Sequence, residues 1–101
     1  PSEVMSFADQ VTYQEGQVVS KTLAQDKHHS LTLFAFEKGE EISTHASSGD
    51  ALVIALDGEG LVTIDGQEFK LGKGDSILMP SDLPHAIYAP ERFKMFLVVS
   101  F

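Results

Sequence analysis

Histidine is the residue type in this chain best suited to chemistry, because the 101 residues include four histidines and no cysteine. His45 lies six residues after Gly39, and His85 lies eleven residues after Gly74. A neutral imidazole can bind a divalent metal through a ring nitrogen, and it can also transfer a proton near neutral pH. The two histidines are forty residues apart. They can therefore share one site only if the chain folds back on itself.

The segments around both histidines are short, extended and separated by glycine turns. Asp65-Gly66 is typical of a two-residue hairpin loop, and 51–56 is a continuous apolar run of strand length. Further strands are predicted at 18–23, 30–37, 42–46, 61–64, 67–71, 75–79, 85–89 and 93–101, with a turn at 57–60. Eight or nine short strands predict an all-β sandwich or antiparallel barrel. Residues 1–16 are predicted to form an N-terminal arm, in which 4–14 suits either a helical turn or an extended segment.

Length and charge limit the possible roles of the chain. A chain of 101 residues is predicted to form one domain. Its formal charge of −8 repels phosphate backbones and anionic membranes, so neither nucleic acid nor a membrane is expected as a partner. The absence of cysteine rules out a disulfide framework and fits a reducing compartment. No basic segment followed by an apolar run occurs at the N-terminus, and we expect a cytoplasmic protein.

The spacing around the two histidines resembles the two motifs of a small single-domain cupin of the conserved-barrel type. The first motif matches a segment in which five residues separate Gly39 from His45 and six residues separate Ala51 from Gly58. The second motif matches a segment in which five residues separate Gly74 from Pro80. In the same segment two residues separate Asp82 from His85, and three separate His85 from Ala89. The resemblance implies an antiparallel double-stranded β-helix, or jelly-roll barrel, that includes nearly the whole chain from Val18 onward.

Cupins usually hold a metal with two histidines and a glutamate from the first motif and one histidine from the second. His45 and His85 match two of these positions, whereas Ser47 stands in place of the second histidine and Ala51 in place of the glutamate. The resemblance therefore implies at most one divalent metal ion (Zn, Mn, Fe or Ni), weakly held by His45 and His85, and no other cofactor. If the metal were tightly bound, the missing ligand would be sought among His28, His29 and Asp50.

Three functional interpretations follow. The first is a barrel that binds a small molecule, with His45, Ser47 and His85 as its polar contacts. The second is a metal-dependent enzyme of the dioxygenase, isomerase or decarboxylase type, and the third is a structural or sensor module without catalysis. Neither the substrate nor a catalytic residue can be read from the sequence.

The apolar runs at 51–56 and 94–101 predict an interface. Each run is apolar on both faces of the predicted strand, which is more apolar surface than one barrel of this size covers. We therefore expect a homodimer packed sheet to sheet, with the N-terminal arm as a segment that could cross to the neighbour.

Overall fold

A computed structural model describes residues 2–101, and Pro1, the first residue of the predicted arm, lies outside the described residues. The described chain contains a four-residue 3-10 helix, Phe7–Gln10, followed by antiparallel strands. The strands are β1 (Val18–Gln25), β2 (His29–Phe36), β3 (Glu41–His45), β4 (Asp50–Ile64), β5 (Gln67–Gly72), β6 (Ser76–Met79), β7 (His85–Tyr88) and β8 (Phe93–Ser100). No helix within residues 2–101 is long and apolar enough to cross a membrane.

The strands form two sheets that share β4. Sheet A has the order β1-β2-β8-β4-β6, and sheet B has the order β3-β7-β4-β5. The first half of β4 pairs with β6 and β8, and its second half pairs with β5 and β7. This curled antiparallel arrangement confirms the predicted jelly-roll barrel.

The turn predicted at 57–60 is wrong, because β4 continues through these residues. A register shift between Ala55 and Asp57 and a φ of +73° at Gly58 bend the strand where it passes from one sheet to the other. Gly60 is buried against Phe93, where a Cβ would stand 2.5 Å from two ring carbons. The glycines therefore bend a continuous strand and make room for a core ring.

The core lies between the two sheets, where alternate residues of each strand point inward. Its largest fully buried side chains include Phe36 and Phe93, whose ring centroids are 5.8 Å apart. The buried cluster consists of Phe36, Ala51, Val53, Ala55, Val62, Leu71, Met79, Ile87, Ala89, Phe93 and Met95. This packing keeps one end of β3, β4 and β7 in fixed positions for the histidines.

The N-terminal arm packs on its own chain over the outer face of sheet A. Val11 is buried with Leu33 and Ala35, and the Phe7 ring lies 4.6 Å from the Phe96 ring, centroid to centroid. The hydroxyl of Tyr13 donates a 2.6 Å hydrogen bond to a carboxylate oxygen of Asp57. From Phe7 onward the arm therefore covers part of its own sheet.

Candidate functional site

A β-bulge in β3 positions His45. Ile42 lies opposite Ile87, and His45 lies opposite His85, so three steps along β3 match two steps along β7. Residues directly opposite each other in a ladder point to the same face of the sheet. The extra residue therefore turns His45 to the face that carries His85.

His85 is the first residue of β7, directly after Pro84. The proline fixes its own φ and keeps Leu83 out of helical geometry, so the segment that leads into β7 is stiff. In the ladder, His85 lies opposite Ile64 of β4 as well as His45. It is the one buried polar residue within residues 2–101, at 5% exposure, whereas His45 is exposed.

The two imidazole rings meet through their Nε2 atoms, which are 3.0 Å apart. Nδ1 of His45 lies 3.0 Å from the carbonyl oxygen of Ser43, and Nδ1 of His85 lies 3.3 Å from that of Leu83. A carbonyl oxygen only accepts, so an Nδ1 that bonds it carries the proton, and Nε2 of the same neutral ring is then a bare lone pair. Two bare lone pairs this close repel each other. A cation bound by both nitrogens removes the repulsion, as does an N–H between the rings.

Burial opposes the protonation of His85. Desolvation lowers the pKa of His85 below its usual range, the Leu83 carbonyl raises it, and the neighbouring His45 lowers it. The lowered pKa keeps the ring neutral near pH 7, and neutral imidazole is the form that binds metals.

The two histidines supply only some of the ligands that a metal ion needs. Metal–imidazole bonds are about 2.0–2.1 Å long, so two nitrogens 3.0 Å apart can bind the same ion. Within residues 2–101, however, no group of three or more His, Cys, Asp or Glu side chains is arranged to hold a metal. The remaining ligands of an ion at His45 and His85 would be water or an exogenous molecule.

The other predicted site residues do not join the pair. The hydroxyl of Ser47 accepts a hydrogen bond from the Gly49 N–H at 3.1 Å, which stabilises the turn after β3. Ala51 points into the core at 3% exposure. The exposed Asp50 carboxylate accepts the Ser81 N–H at 2.8 Å.

His28 and His29 lie elsewhere, at the turn between β1 and β2 of sheet A. Both are exposed, and Asp26 accepts both of their backbone N–H groups at 2.8 Å. These contacts lower the pKa of the Asp26 carboxyl. The backbone N–H groups of His28 and His29 therefore stabilise this turn. Neither residue lies in the ladder that contains His45 and His85.

An apolar pocket of about 450 Å³ has neither histidine in its wall but includes two residues that neighbour His85. Its wall is formed by Ile64, Asp65, Gln67, Phe69, Ile77, Leu78, Pro80 and Leu83. Two of these residues contact the site directly, because Ile64 is the ladder neighbour of His85 and the Leu83 carbonyl lies against its Nδ1. This wall cannot be predicted from the sequence, because its aliphatic residues do not differ in type from core residues.

The chain matches known proteins in both sequence and structure. The Cupin_2 family model, a cupin domain, matches residues 32–100. A conserved protein of unknown function from Streptococcus pyogenes is 39% identical, with a TM-score of 0.95, and the match covers 99% of this chain and 88% of that one. A cupin superfamily protein from Desulfitobacterium hafniense is 34% identical, with a TM-score of 0.94, and the match covers 100% and 94%.

A third solved structure, a cupin 2 conserved barrel domain protein from Leptotrichia buccalis, is 43% identical with a TM-score of 0.91. That match covers 93% of this chain and 46% of the other. No curated protein matches the chain. The extent of the family match shows that the chain belongs to the cupin family, which confirms the resemblance seen in the motif spacing.

Proposed function

We propose that the barrel binds a small organic molecule beside His45 and His85, with one exchangeable divalent cation (Zn, Mn, Fe or Ni) held between the two Nε2 atoms. The observation that carries this proposal is the 3.0 Å approach of these atoms while each Nδ1 lies against a backbone carbonyl. An ion between the rings would be within reach of both Nε2 lone pairs.

The protein contributes orientation and a neutral ligand set. The Ser43 and Leu83 carbonyls fix the tautomer and the ring orientation of His45 and His85, which is the usual role of groups behind a metal ligand. With no carboxylate in the set, the ion keeps its full positive charge and is bound weakly. A cation so bound would polarise an oxygen or nitrogen atom of the ligand.

The pocket sets the character of the ligand. Ile64, Phe69, Ile77 and Leu83 offer an aliphatic and aromatic wall, and Asp65 and Gln67 are its polar members. Pockets of this size and composition bind molecules with an apolar body and few polar atoms. The ligand would place its apolar body on this wall and its polar group towards the histidines.

Calorimetric titration of cation-free protein with Zn²⁺, Mn²⁺ and Ni²⁺ tests the metal site. We expect one ion per chain, with affinity reduced about tenfold or more by His45→Ala or His85→Ala. The matched control is His28→Ala, which removes an exposed histidine from another part of the fold and should leave the affinity unchanged. Equal binding by the wild type and by both site variants would refute the proposal.

An NMR screen of small organic fragments against methyl-labelled protein tests the pocket. We expect binders to shift the methyl signals of Ile64, Ile77 and Leu83 and the ring nitrogens of His85. Leu31 lies on the outer face of sheet A and is the internal control. Fragments that shift Leu31 but none of the pocket methyls would contradict this assignment.

A further inference from the structure

The chain contains two Asp-Gly dipeptides, and the fold gives them opposite surroundings. Asp57-Gly58 lies inside β4, whereas Asp65-Gly66 forms the hairpin turn between β4 and β5. In such a dipeptide the glycine nitrogen can attack the aspartate carboxyl group, because no Cβ shields the nitrogen. The attack closes a five-membered ring. It therefore requires an aspartate that can rotate and an amide that nothing holds.

Asp57-Gly58 meets neither requirement. The Asp57 carboxylate accepts a 2.6 Å hydrogen bond from the Tyr13 hydroxyl. Both residues of the dipeptide pair with β8 in the ladder of sheet A. The backbone of Gly58 also packs so closely on β8 that an added Cβ would overlap the carbonyl oxygen of Arg92. Rotation of Asp57 towards the Gly58 nitrogen would break the ladder, so the fold prevents ring closure here.

Asp65-Gly66 meets both requirements. Both residues are exposed, and a Cβ added to Gly66 would have no atom within 4 Å. The Gly66 N–H donates to no backbone carbonyl within residues 2–101, and no ion pair of this part of the chain involves the Asp65 carboxylate. The attacking nitrogen and the attacked carboxyl group are therefore both free.

We propose that Asp65-Gly66 is a modification site at which Asp65 isomerises to isoaspartate, with water as the reagent. The Gly66 nitrogen forms a bond to Cγ of Asp65, and a carboxyl oxygen leaves as water with the amide proton and the carboxyl proton. Water then opens the succinimide ring. Addition at the former backbone carbonyl breaks its bond to the Gly66 nitrogen, so the chain now runs through Cβ and Cγ. Water is lost once and gained once, and no oxidant is needed.

The product changes the end of the barrel that carries His85. Isoaspartate adds one atom to the backbone of a two-residue turn, and this turn sets the register in which Ile64 lies opposite Gln67. The N–H of Asp65 donates a 2.8 Å hydrogen bond to the carbonyl oxygen of Pro84, the residue before His85. Isomerisation should therefore loosen the hairpin beside the histidine pair.

Incubation of the folded protein in water labelled with heavy oxygen tests the proposal, because every ring opening leaves a labelled oxygen on the aspartate or isoaspartate. Both dipeptides lie in one tryptic peptide, 39–70, and electron-transfer fragmentation separates them. We expect label and isoaspartate at position 65 to appear about tenfold or more faster than at position 57, where reaction waits for local opening. In guanidinium chloride the two rates should agree within about twofold, because the fold no longer distinguishes the sites.

Asp65→Asn and Asp57→Asn are a matched pair of variants. Asparagine closes the same ring with loss of ammonia, and it reacts faster because a neutral amide is a better target than a carboxylate. We expect folded Asp65→Asn to form isoaspartate about tenfold faster than the wild type, whereas folded Asp57→Asn should stay unreactive at that position. Amide hydrogen exchange across 61–70 should become faster in the isomerised Asp65→Asn protein.

Three results would overturn the proposal. The first is equal labelling of positions 57 and 65 in the folded protein. The second is a folded Asp65→Asn variant that forms no isoaspartate although its unfolded chain does, because the turn itself would then block ring closure. The third is unchanged hydrogen exchange in the isomerised protein, which would show that the hairpin tolerates the extra backbone atom.

Discussion

His45 lies opposite His85 because β3 contains one residue more than β7 between the paired isoleucines and the paired histidines. Counting without the bulge from Ile42, which lies opposite Ile87, would put Thr44 opposite His85 and turn His45 to the other face. A local irregularity in one strand therefore creates the contact between the two rings. Bulges are often found beside functional sites for this reason.

The buried His85 should make the folded state sensitive to mild acid. Its pKa is lowered in the folded protein by burial and by His45, whereas in the unfolded chain it returns to about 6.5. Below that pH the unfolded chain takes up the proton more readily, so the free energy of unfolding falls as the pH drops through about 6.5 towards the folded-state pKa. Above pH 6.5 the contribution of the neutral His85 to the free energy of unfolding is fully present.

Urea denaturation in the presence of a chelator, between about pH 5 and 8, measures this dependence. His85→Gln should flatten the pH dependence in that window, and the exposed-site variant His28→Gln should keep it. Hydrogen bonds lower the carboxyl pKa values of Asp26 and Glu37, so these two groups change the stability only in more acidic solution. A wild-type stability that does not change between pH 5 and 7 would contradict the role assigned to His85.

Two glycines allow backbone strain and steric crowding to be measured separately. Gly66 has a φ of +83°, and a Cβ added there would have no atom within 4 Å, so Gly66→Val should cost about 1–2 kcal/mol through backbone strain alone. Gly60→Ala brings a Cβ against Phe93 and should cost about 1–3 kcal/mol through overpacking. Chemical denaturation measures both losses of stability.

Other substitutions should affect the stability of the two glycine variants differently. Gly66→Asn should be tolerated better than Gly66→Val, because asparagine adopts positive φ more readily. Phe93→Leu should recover part of the loss at Gly60→Ala by giving the new Cβ room, and it should do nothing for Gly66→Val. Additive losses in the Gly60→Ala, Phe93→Leu double variant would show that the crowding argument is wrong.

Most of the fold could be predicted from turn chemistry and strand length. Asp65-Gly66 forms the predicted two-residue hairpin with positive φ at both residues. The region around Gly58 and Gly60 could not be predicted correctly because glycines usually mark turns, whereas here they bend β4 between two sheets. Nothing local in the sequence separates a bend that continues the ladder from a turn that ends it.

The approach of His45 and His85 could be predicted from the sequence, whereas the geometry of their contact could not. The two motif frames point to His45 and His85, but the bulge that joins them depends on which residues of β7 lie opposite β3, which is a long-range property. The same holds for Ser47, whose hydroxyl bonds to Gly49 within its own turn. Hydrogen bonds from Nδ1 to backbone carbonyls leave no trace in the sequence, although they decide what the Nε2 atoms can bind.

Tyr13 should hold the arm to sheet A through a hydrogen bond that ionisation abolishes. Burial and the Asp57 carboxylate, which accepts its hydroxyl proton, raise the pKa of Tyr13. Because the folded-state pKa is raised above the unfolded value of about 10, its contribution is present below pH 10 and is lost as the pH rises further.

Tyr13→Phe should therefore lower the free energy of unfolding by about 1 kcal/mol at pH 7 and make the protein less sensitive to alkali above pH 10. Thermal unfolding at neutral and alkaline pH measures both effects. Tyr88→Phe is the control, because that exposed tyrosine lies on sheet B. Equal alkaline sensitivity in Tyr13→Phe and the wild type would show that Tyr13 makes no such contribution.

Restoring the two family ligands should create a strong metal site at His45 and His85. Ser47→His and Ala51→Glu supply a third imidazole and a carboxylate, and Ala51 points towards the barrel interior. An anionic ligand offsets the loss of water from a dication, so we expect the double variant to bind Zn²⁺ or Mn²⁺ with an affinity about 100-fold or more above that of the wild type.

Without metal, the same variant carries an unpaired carboxylate beside the core and should be less stable than the wild type. Saturating metal should restore its melting temperature, because an ion that binds only the folded state stabilises it. The matched control is Ser48→His with Asp50→Glu, which makes similar changes one position away, where Asp50 is exposed. If the control gains as much affinity as the test variant, or the test variant gains none, Ser47 and Ala51 do not occupy ligand positions in this barrel.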